Sequence, residues 1–289
     1  MGFKPKSKTD ILRITHVIFF VLIIVLSSCK TQKLPTKKFY GLKVDQTIEY
    51  RGDSLYVEIN NFVSCPMRYM ITAEDKITNE IINQYFPVTM NAGTDTVFHI
   101  PISEENQSPF TKKVHYGDPE LDFTIPDLIL PFPAGKSYKI IQGNNSSPSH
   151  NHDGSRYALD FSLKINDTIC AAADGYVVSM IEGYTEGGPL KKWRPYGNQI
   201  MIYHPKFNVF TIYVHLVNNG SFVELGDFVK QGEAIGLSGL TGYTTVEHLH
   251  FDVYKASKSE KGLLSTPYHF KGEYKSTDFT RNQRVKRVN

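Results

Sequence analysis

Cysteine and tryptophan are scarce in this chain of 289 residues, which has three cysteines and one tryptophan. After Cys29 only Cys65 and Cys170 remain, far apart in the sequence. Each lies in an apolar, strand-like run, where a free thiol behaves as a small hydrophobic group. Because neither has a second cysteine nearby, the spacing argues against a cysteine-ligated metal centre, and two buried thiols are expected rather than a disulfide between them.

A large excess of one charge is also missing, since 32 Lys and Arg residues balance 29 Asp and Glu residues for a net charge of +3. A nucleic-acid-binding protein typically has a strongly basic surface, so no nucleic-acid partner is expected. A slightly basic surface would tolerate an anionic cell wall, although simple solubility explains it equally well.

Long helical periodicity is lacking, and short alternating runs separated by Gly, Asn and Pro take its place. The pattern predicts an all-β, mainly antiparallel protein. A small β-sandwich-like domain is expected over residues 39–135 and an antiparallel β-sheet domain over residues 136–256. Residues 257–289 form a polar, basic C-terminal extension, whose last nine residues are interpreted as a solvated tail.

The sequence before residue 30 has a basic start followed by a mostly apolar run over residues 14–26. That run is short for a membrane span and has the length of a signal-peptide core. It ends in Leu26-Ser27-Ser28-Cys29, which resembles the lipobox of bacterial lipoproteins. The resemblance implies a signal peptide over residues 1–28, a lipid on Cys29, a tether over residues 29–38 and an exported, membrane-anchored protein. By analogy with Gram-negative lipoproteins the outer membrane is expected; the alternative is an uncleaved anchor with an incidental cysteine.

Histidines are concentrated in the second predicted domain, where His248 and His250 flank Leu249. Side chains at i and i+2 of a strand point to the same face, so the two imidazoles are expected side by side while Leu249 faces the core. Such a pair can bind a metal, or one ring can bind while the other moves protons. Taken alone, the pattern fits a pair of surface histidines equally well.

Two further elements supply complementary groups. Asp160 lies among apolar neighbours in a predicted strand, and a buried carboxylate is costly unless it is paired or metal-bound. His150 and His152 precede it in a polar loop, and His215 ends another apolar strand. A catalytic zinc needs three protein ligands and one open position, which this set can provide.

Together these elements resemble the lysostaphin-type, or LytM-type, peptidoglycan endopeptidases. The matching stretches are Tyr213-Val-His-Leu216 and His248-Leu-His250, with Ala171–Val178 and Val223–Gly239 between and around them. The resemblance implies zinc as cofactor, peptidoglycan as partner, and hydrolysis of peptide bonds in its stem peptides or cross-links. It implies His152, Asp160 and His250 as zinc ligands, and His215 and His248 as catalytic residues.

The chain departs from the family pattern at two places that bear on the site. The first histidine and Asp160 are farther apart than in the compact form, so His150 and His152 compete for the first ligand position; Gly154, two residues after His152, favours His152. Val246-Glu247 replaces the usual Gly-Pro before the histidine pair, and Glu247 is expected to reshape the substrate groove.

The sequence leaves two other classes of function open. The first is a non-catalytic module that binds the wall or activates another wall hydrolase, the role of degenerate members of the family. The run Leu225–Gly236 also looks like a biotinyl or lipoyl carrier hairpin, but Lys230 does not lie at a hairpin tip flanked by Met or Ala.

Overall fold

The structure is a computed structural model that describes residues 33–42, 44–272 and 274–288. The predicted signal peptide and Cys29 lie outside the described residues. Within these ranges, none of the helices has the length and apolar character needed to cross a membrane. From Lys37 onward the chain forms one compact unit.

The first part of the chain folds into two three-stranded antiparallel sheets and one short helix. One sheet has the order β1-β2-β5 and the other β4-β3-β6. The helix begins after Asp75, whose carboxylate accepts a hydrogen bond from the Thr78 backbone N–H and so caps the first turn. The elements are β1 (Asp45–Arg51), β2 (Ser54–Asn61), β3 (Met67–Ala73), α1 (Lys76–Ile82), β4 (Val88–Met90), β5 (Thr94–Pro101), a 3-10 turn (Glu104–Asn106) and β6 (Phe110–Tyr116).

The second part is built on a nine-stranded antiparallel sheet with smaller sheets beside it. The main sheet has the order β15-β10-β12-β13-β18-β8-β7-β22, with β19 paired to β18. Its strands are β7 (Ser137–Gln142), β8 (Leu159–Phe161), β10 (Gly175–Ile181), β12 (Gln199–His204), β13 (Val209–Val214), β15 (Phe228–Val229), β18 (Leu249–Ala256), β19 (Leu263–Ser265) and β22 (Arg284–Lys286). The smaller sheets contain β9 (Thr168–Cys170), β11 (Gly187–Gly188), β14 (Leu216–Ser221), β16 (Ala234–Ser238), β17 (Gly242–Tyr243), β20 (His269–Phe270) and β21 (Tyr274–Lys275), and 3-10 turns span Lys191–Tyr196 and Ser276–Asp278.

The two faces of the main sheet pack into different cores. Leu249, Phe251 and Val253 of β18 point into the core between the main sheet and the smaller sheets. On the opposite face, Phe210 and Ile212 of β13 pack with residues of both N-terminal sheets. The N-terminal strands therefore cover part of this second face, and His250 of β18 lies on the same face.

These observations confirm the predicted all-β, mainly antiparallel fold class. The predicted boundary at residue 135 falls in the connection between β6 and β7 and stays a prediction, because the described chain after residue 36 is one compact unit. Cys65 and Cys170 are buried and unpaired, as expected. The α1 helix was not predicted from the sequence.

The expected solvated tail is corrected by the structure. Strand β22 pairs antiparallel with β7 along the edge of the main sheet, and Val285 is only 5% exposed. The sequence gives little indication of this strand, because a single valine stands between charged residues. The strand forms because β7 has an edge with unpaired backbone groups that it can pair with.

Candidate metal centre and groove

Asp160 and His250 face each other on two neighbouring strands. The register of β8 and β18 pairs these two residues directly, and Asp160 Oδ1 lies 2.8 Å from His250 Nδ1. Leu159 and Phe161, on either side of Asp160, point into the core. Strand alternation and the register therefore direct the carboxylate and the imidazole to the same face.

His150 completes the cluster from the loop between β7 and β8. Its Nε2 lies 3.2 Å from Asp160 Oδ1 and 3.3 Å from His250 Nδ1. Its Nδ1 lies 3.0 Å from the Gly143 carbonyl oxygen, so Nδ1 carries the hydrogen and donates it, which leaves the Nε2 lone pair facing the cluster. Nitrogen and oxygen ligands of a tetrahedral zinc stand roughly 3.3 Å apart, given bonds of about 2.0–2.1 Å, so the three groups fit this ion.

The structure corrects the predicted position of His152, which does not join Asp160 and His250. Its Nδ1 accepts a hydrogen bond from the Gly154 backbone N–H at 3.2 Å, and its Nε2 lies 3.2 Å from Ser155 Oγ. Because Ser155 Oγ donates its own hydrogen to the Ser149 carbonyl, it accepts one from His152. Both ring nitrogens of His152 are thus engaged within the loop, and neither offers a lone pair to a metal.

His215 and His248, the two candidate catalytic residues, lie beside the three-residue cluster. Their ring centroids are 4.5 Å apart, and His248 Nε2 is 3.7 Å from Asp160 Oδ2. His215 Nδ1 donates to the Thr241 carbonyl at 2.6 Å, and His248 Nδ1 donates to the Val246 carbonyl at 2.9 Å. In both residues the backbone fixes the tautomer and leaves Nε2 able to accept a proton.

Backbone geometry holds His215 in place. The residue has a φ of +73°, a left-handed conformation that is uncommon outside glycine and is typical of functional sites when the surroundings enforce it. Its backbone N–H donates to the carbonyl of buried Asn198, whose side chain bonds Tyr184 and Leu216. Asn198 therefore supports the strand ends around His215.

Two buried carboxyl groups close to the cluster differ in charge. Burial raises the pKa of Asp160, but the neighbouring His150 and His248 outweigh this and hold that pKa well below its usual range. Burial raises the pKa of Asp252 to about 8, only partly offset by a hydrogen bond from Ser265. At neutral pH Asp160 is the ionised carboxylate, which is the form that a metal ion binds.

Burial also decides the charge of the catalytic candidate His215. Its desolvation, together with His248 and His250, lowers its pKa well below the usual value, so the ring is neutral at neutral pH. A neutral imidazole with a free Nε2 can accept a proton. By contrast, His204 is fully buried, contacts the Asp174 carbonyl and the Thr211 hydroxyl and lies away from the cluster, so its role is structural.

A groove of about 1560 Å³ runs over the cluster. Asp160, His215, His248 and His250 line it, and so does Glu247, the residue expected to reshape it. Among the described residues, those that line the groove all lie between 141 and 281, so the N-terminal sheets do not form its walls. A groove of this size is long enough for a peptide segment and leaves the cluster accessible.

Residues 154–261 match the model of peptidase family M23. An uncharacterised metalloprotease of Buchnera aphidicola is 32% identical over 165 residues, 56% of this chain and 40% of the relative. Lysostaphin of Staphylococcus simulans is 35% identical over 117 residues, covering 40% of this chain and 21% of the relative. Peptidoglycan DD-endopeptidase ShyB of Vibrio cholerae is 32% identical over 127 residues, 42% of this chain and 26% of the relative.

This chain therefore spans only about a fifth to two fifths of the lengths of these relatives. The solved catalytic domain of Staphylococcus simulans lysostaphin is 28% identical and covers 45% of this chain and 87% of its own, with a TM-score of 0.31. The family match includes Asp160, His215, His248 and His250 and begins after His150.

Proposed function

We propose that this protein, whose residues 154–261 match the model of peptidase family M23, is a zinc endopeptidase that cuts peptide bonds in the stem peptides or cross-links of peptidoglycan. The observation that carries the proposal is the placement of Asp160, His215, His248 and His250 in one groove, with buried His150 completing the three-residue cluster beneath it. The endopeptidases named among the relatives support the substrate class.

His150, Asp160 and His250 are the proposed zinc ligands. When bound, zinc supplies a Lewis acid that polarises a carbonyl and makes water more acidic. The ligand set has a single carboxylate, so the site keeps a net positive charge that favours this effect. Gly143 orients His150 through its carbonyl, and such outer contacts hold a ligand in the correct tautomer.

His215 and His248 are the proposed catalytic residues. Each presents an Nε2 that accepts a proton from the attacking water and returns it to the leaving amine. A protonated Nε2 can also stabilise the negative charge that develops on the carbonyl oxygen. The His215 and His248 rings lie side by side, so uptake of the water proton and its delivery to the leaving amine can take place on the same side of the scissile bond.

A digest of purified peptidoglycan with the zinc-loaded full-length protein tests the proposal. New muropeptides are expected from the wild type and not from His248→Ala, and their masses identify the bond. His269→Ala is a matched control, because His269 is partly exposed and lies outside the groove. An unchanged muropeptide profile from zinc-bound wild type contradicts the proposal and favours a module that activates another hydrolase.

We further propose that the protein is exported and anchored by a lipid on Cys29 in the outer membrane. Support comes from the sequence Leu26-Ser27-Ser28-Cys29 after an apolar run. Mass spectrometry of the mature N-terminus tests the anchor, and an unmodified Cys29 contradicts it. Cell fractionation with Cys29→Ala tests the location, since the variant is expected to leave the membrane fraction.

A further inference from the structure

The charged side chains that line the groove do not balance one another. Glu247 forms an ion pair with Lys164 and accepts a hydrogen bond from the Ile165 backbone N–H. Asp160 belongs to the histidine cluster. Arg194 and Arg281 remain, both exposed, and neither side chain has a hydrogen bond or an ion pair within the described part of the chain. The groove therefore has two unpaired positive charges besides any bound metal.

Arg194 is placed on the wall by the 3-10 turn Lys191–Tyr196. Trp193, the preceding residue, is 1% exposed and anchors this turn. The Arg194 guanidinium carbon lies 5.5 Å from the ring centroid of Tyr243, which also lines the groove. A guanidinium positioned against an aromatic ring keeps its N–H groups free for a ligand in the groove.

Arg281 reaches the groove from the C-terminal extension. The next two residues are fixed to β7, because Asn282 N–H donates to the Ile140 carbonyl and Ile140 N–H donates to the Gln283 carbonyl. On the other side, Phe279 is 5% exposed and packs in the core. The backbone around Arg281 is thus fixed while its side chain stays in the groove, and this residue lies beyond the family match, which ends at residue 261.

We propose that Arg194 and Arg281 bind carboxylate groups of the substrate, so that the groove selects an acidic peptide over its amidated counterpart. The inference rests on the proposed function and adds the substrate class. A guanidinium binds a carboxylate with two parallel hydrogen bonds, and a carboxamide of nearly the same shape offers neither the charge nor the second acceptor. The two arginines are specificity residues and take no part in proton transfer.

Binding of two synthetic peptides tests the inference. One is a stem peptide with free carboxylates, and the other has each carboxylate converted to a carboxamide. Their Kd values are measured by calorimetry on zinc-loaded, full-length His248→Ala at one fixed ionic strength, because salt screens exposed charges. The acidic peptide is expected to bind about tenfold more tightly.

Adding Arg194→Gln or Arg281→Gln is expected to reduce this preference about threefold or more each, whereas Arg284→Gln preserves it. Arg284 is a matched control, since it is exposed, lies three residues after Arg281, and its side chain bonds the Ser137 carbonyl outside the groove. Equal Kd values for the two peptides, or a preference that survives both groove substitutions, overturn the inference.

Hydrolysis of peptidoglycan by the wild type is measured separately and reports on the proposed function. A binding preference without cleavage refutes the enzyme and leaves the carboxylate site standing. Cleavage without a binding preference refutes the carboxylate site alone.

Discussion

His150 and His152 are separated by one residue, yet only His150 has a ring nitrogen available to a metal. The His150 ring donates from Nδ1 to Gly143 and presents Nε2 to Asp160. Both nitrogens of the His152 ring form hydrogen bonds within the loop, one with Gly154 and the other with Ser155. These hydrogen bonds, and not the distance along the chain, decide which of the two residues can act as a ligand.

Separate alanine substitutions of the two histidines give opposite expectations for zinc content. His150→Ala leaves two protein ligands, so zinc bound per chain, measured by atomic emission after dialysis, is expected to fall from about one to near zero. His152→Ala removes a loop contact and is expected to keep its zinc. Loss of zinc from His152→Ala alone would contradict the assignment.

Most of the site was predictable because it lies on strands. His250 lies in β18 and His248 just before it, and their two-residue spacing places both imidazoles on one face. The pairing of β8 with β18 brings Asp160 opposite His250. His215 follows an apolar strand that pairs with β18. His150 lies in a loop, which has no regular hydrophobic periodicity from which its conformation could be predicted. Tertiary contacts such as the hydrogen bond to the Gly143 carbonyl determine the orientation of its ring.

The C-terminal extension supports the loop that carries His150. Phe279 places its carbonyl oxygen against Gly143, so closely that a Cβ on residue 143 would lie 2.8 Å from it. Gly143 in turn accepts the hydrogen bond from His150. The extension, the glycine and the ligand therefore form one chain of contacts, and glycine is required for the close approach.

Gly143→Ala is expected to cost about 1–3 kcal/mol in the free energy of unfolding, because the methyl group overlaps a backbone atom that cannot rotate away. Zinc affinity is expected to fall as well, since the His150 acceptor shifts. Urea unfolding and zinc titration measure the two effects. Gly154→Ala is the control, with its nearest atoms at an ordinary 3.4 Å. Equal stability of both variants would show that the extension does not press on Gly143.

The edge strand β22 shows where sequence patterns fail at the scale of elements. Its three residues, Arg284–Lys286, contain one apolar side chain, too few for an alternation to be visible. The longer strand β2 alternates between half-buried and buried residues, and β12 and β13 are almost continuously buried, so each gives a stronger sequence signal than β22 does.

The N-terminal sheets and the groove share one face of the main sheet. Phe210 and Ile212 pack against the N-terminal sheets, while Ile212 and Val214 also border the groove. The sequence predicted sheets in both halves but gave no signal for this packing, because apolar residues on both faces of a strand do not identify their partners. The N-terminal sheets thus support the face that carries the site.

The pH dependence of global stability is expected to report on His204, a buried residue far from the proposed zinc ligands. Burial lowers its pKa from the usual value of 6.5 to about 4. The unfolded chain binds the proton more tightly, so the contribution of His204 is present above pH 6.5 and is lost as the pH falls toward 4. Between pH 7 and pH 5 the loss is about 2 kcal/mol.

His204→Gln retains one hydrogen-bond donor and one acceptor but does not titrate, so it removes the His204 contribution to the pH dependence of the free energy of unfolding. Urea unfolding of both proteins at pH 7 and pH 5, with EDTA present so that zinc binding does not contribute, is expected to show a smaller decrease for the variant. The comparison isolates His204, because every other titrating group is common to the two proteins. Equal decreases would mean that His204 is protonated in the folded protein at pH 5, with Asp174 and Thr211 accommodating the charge.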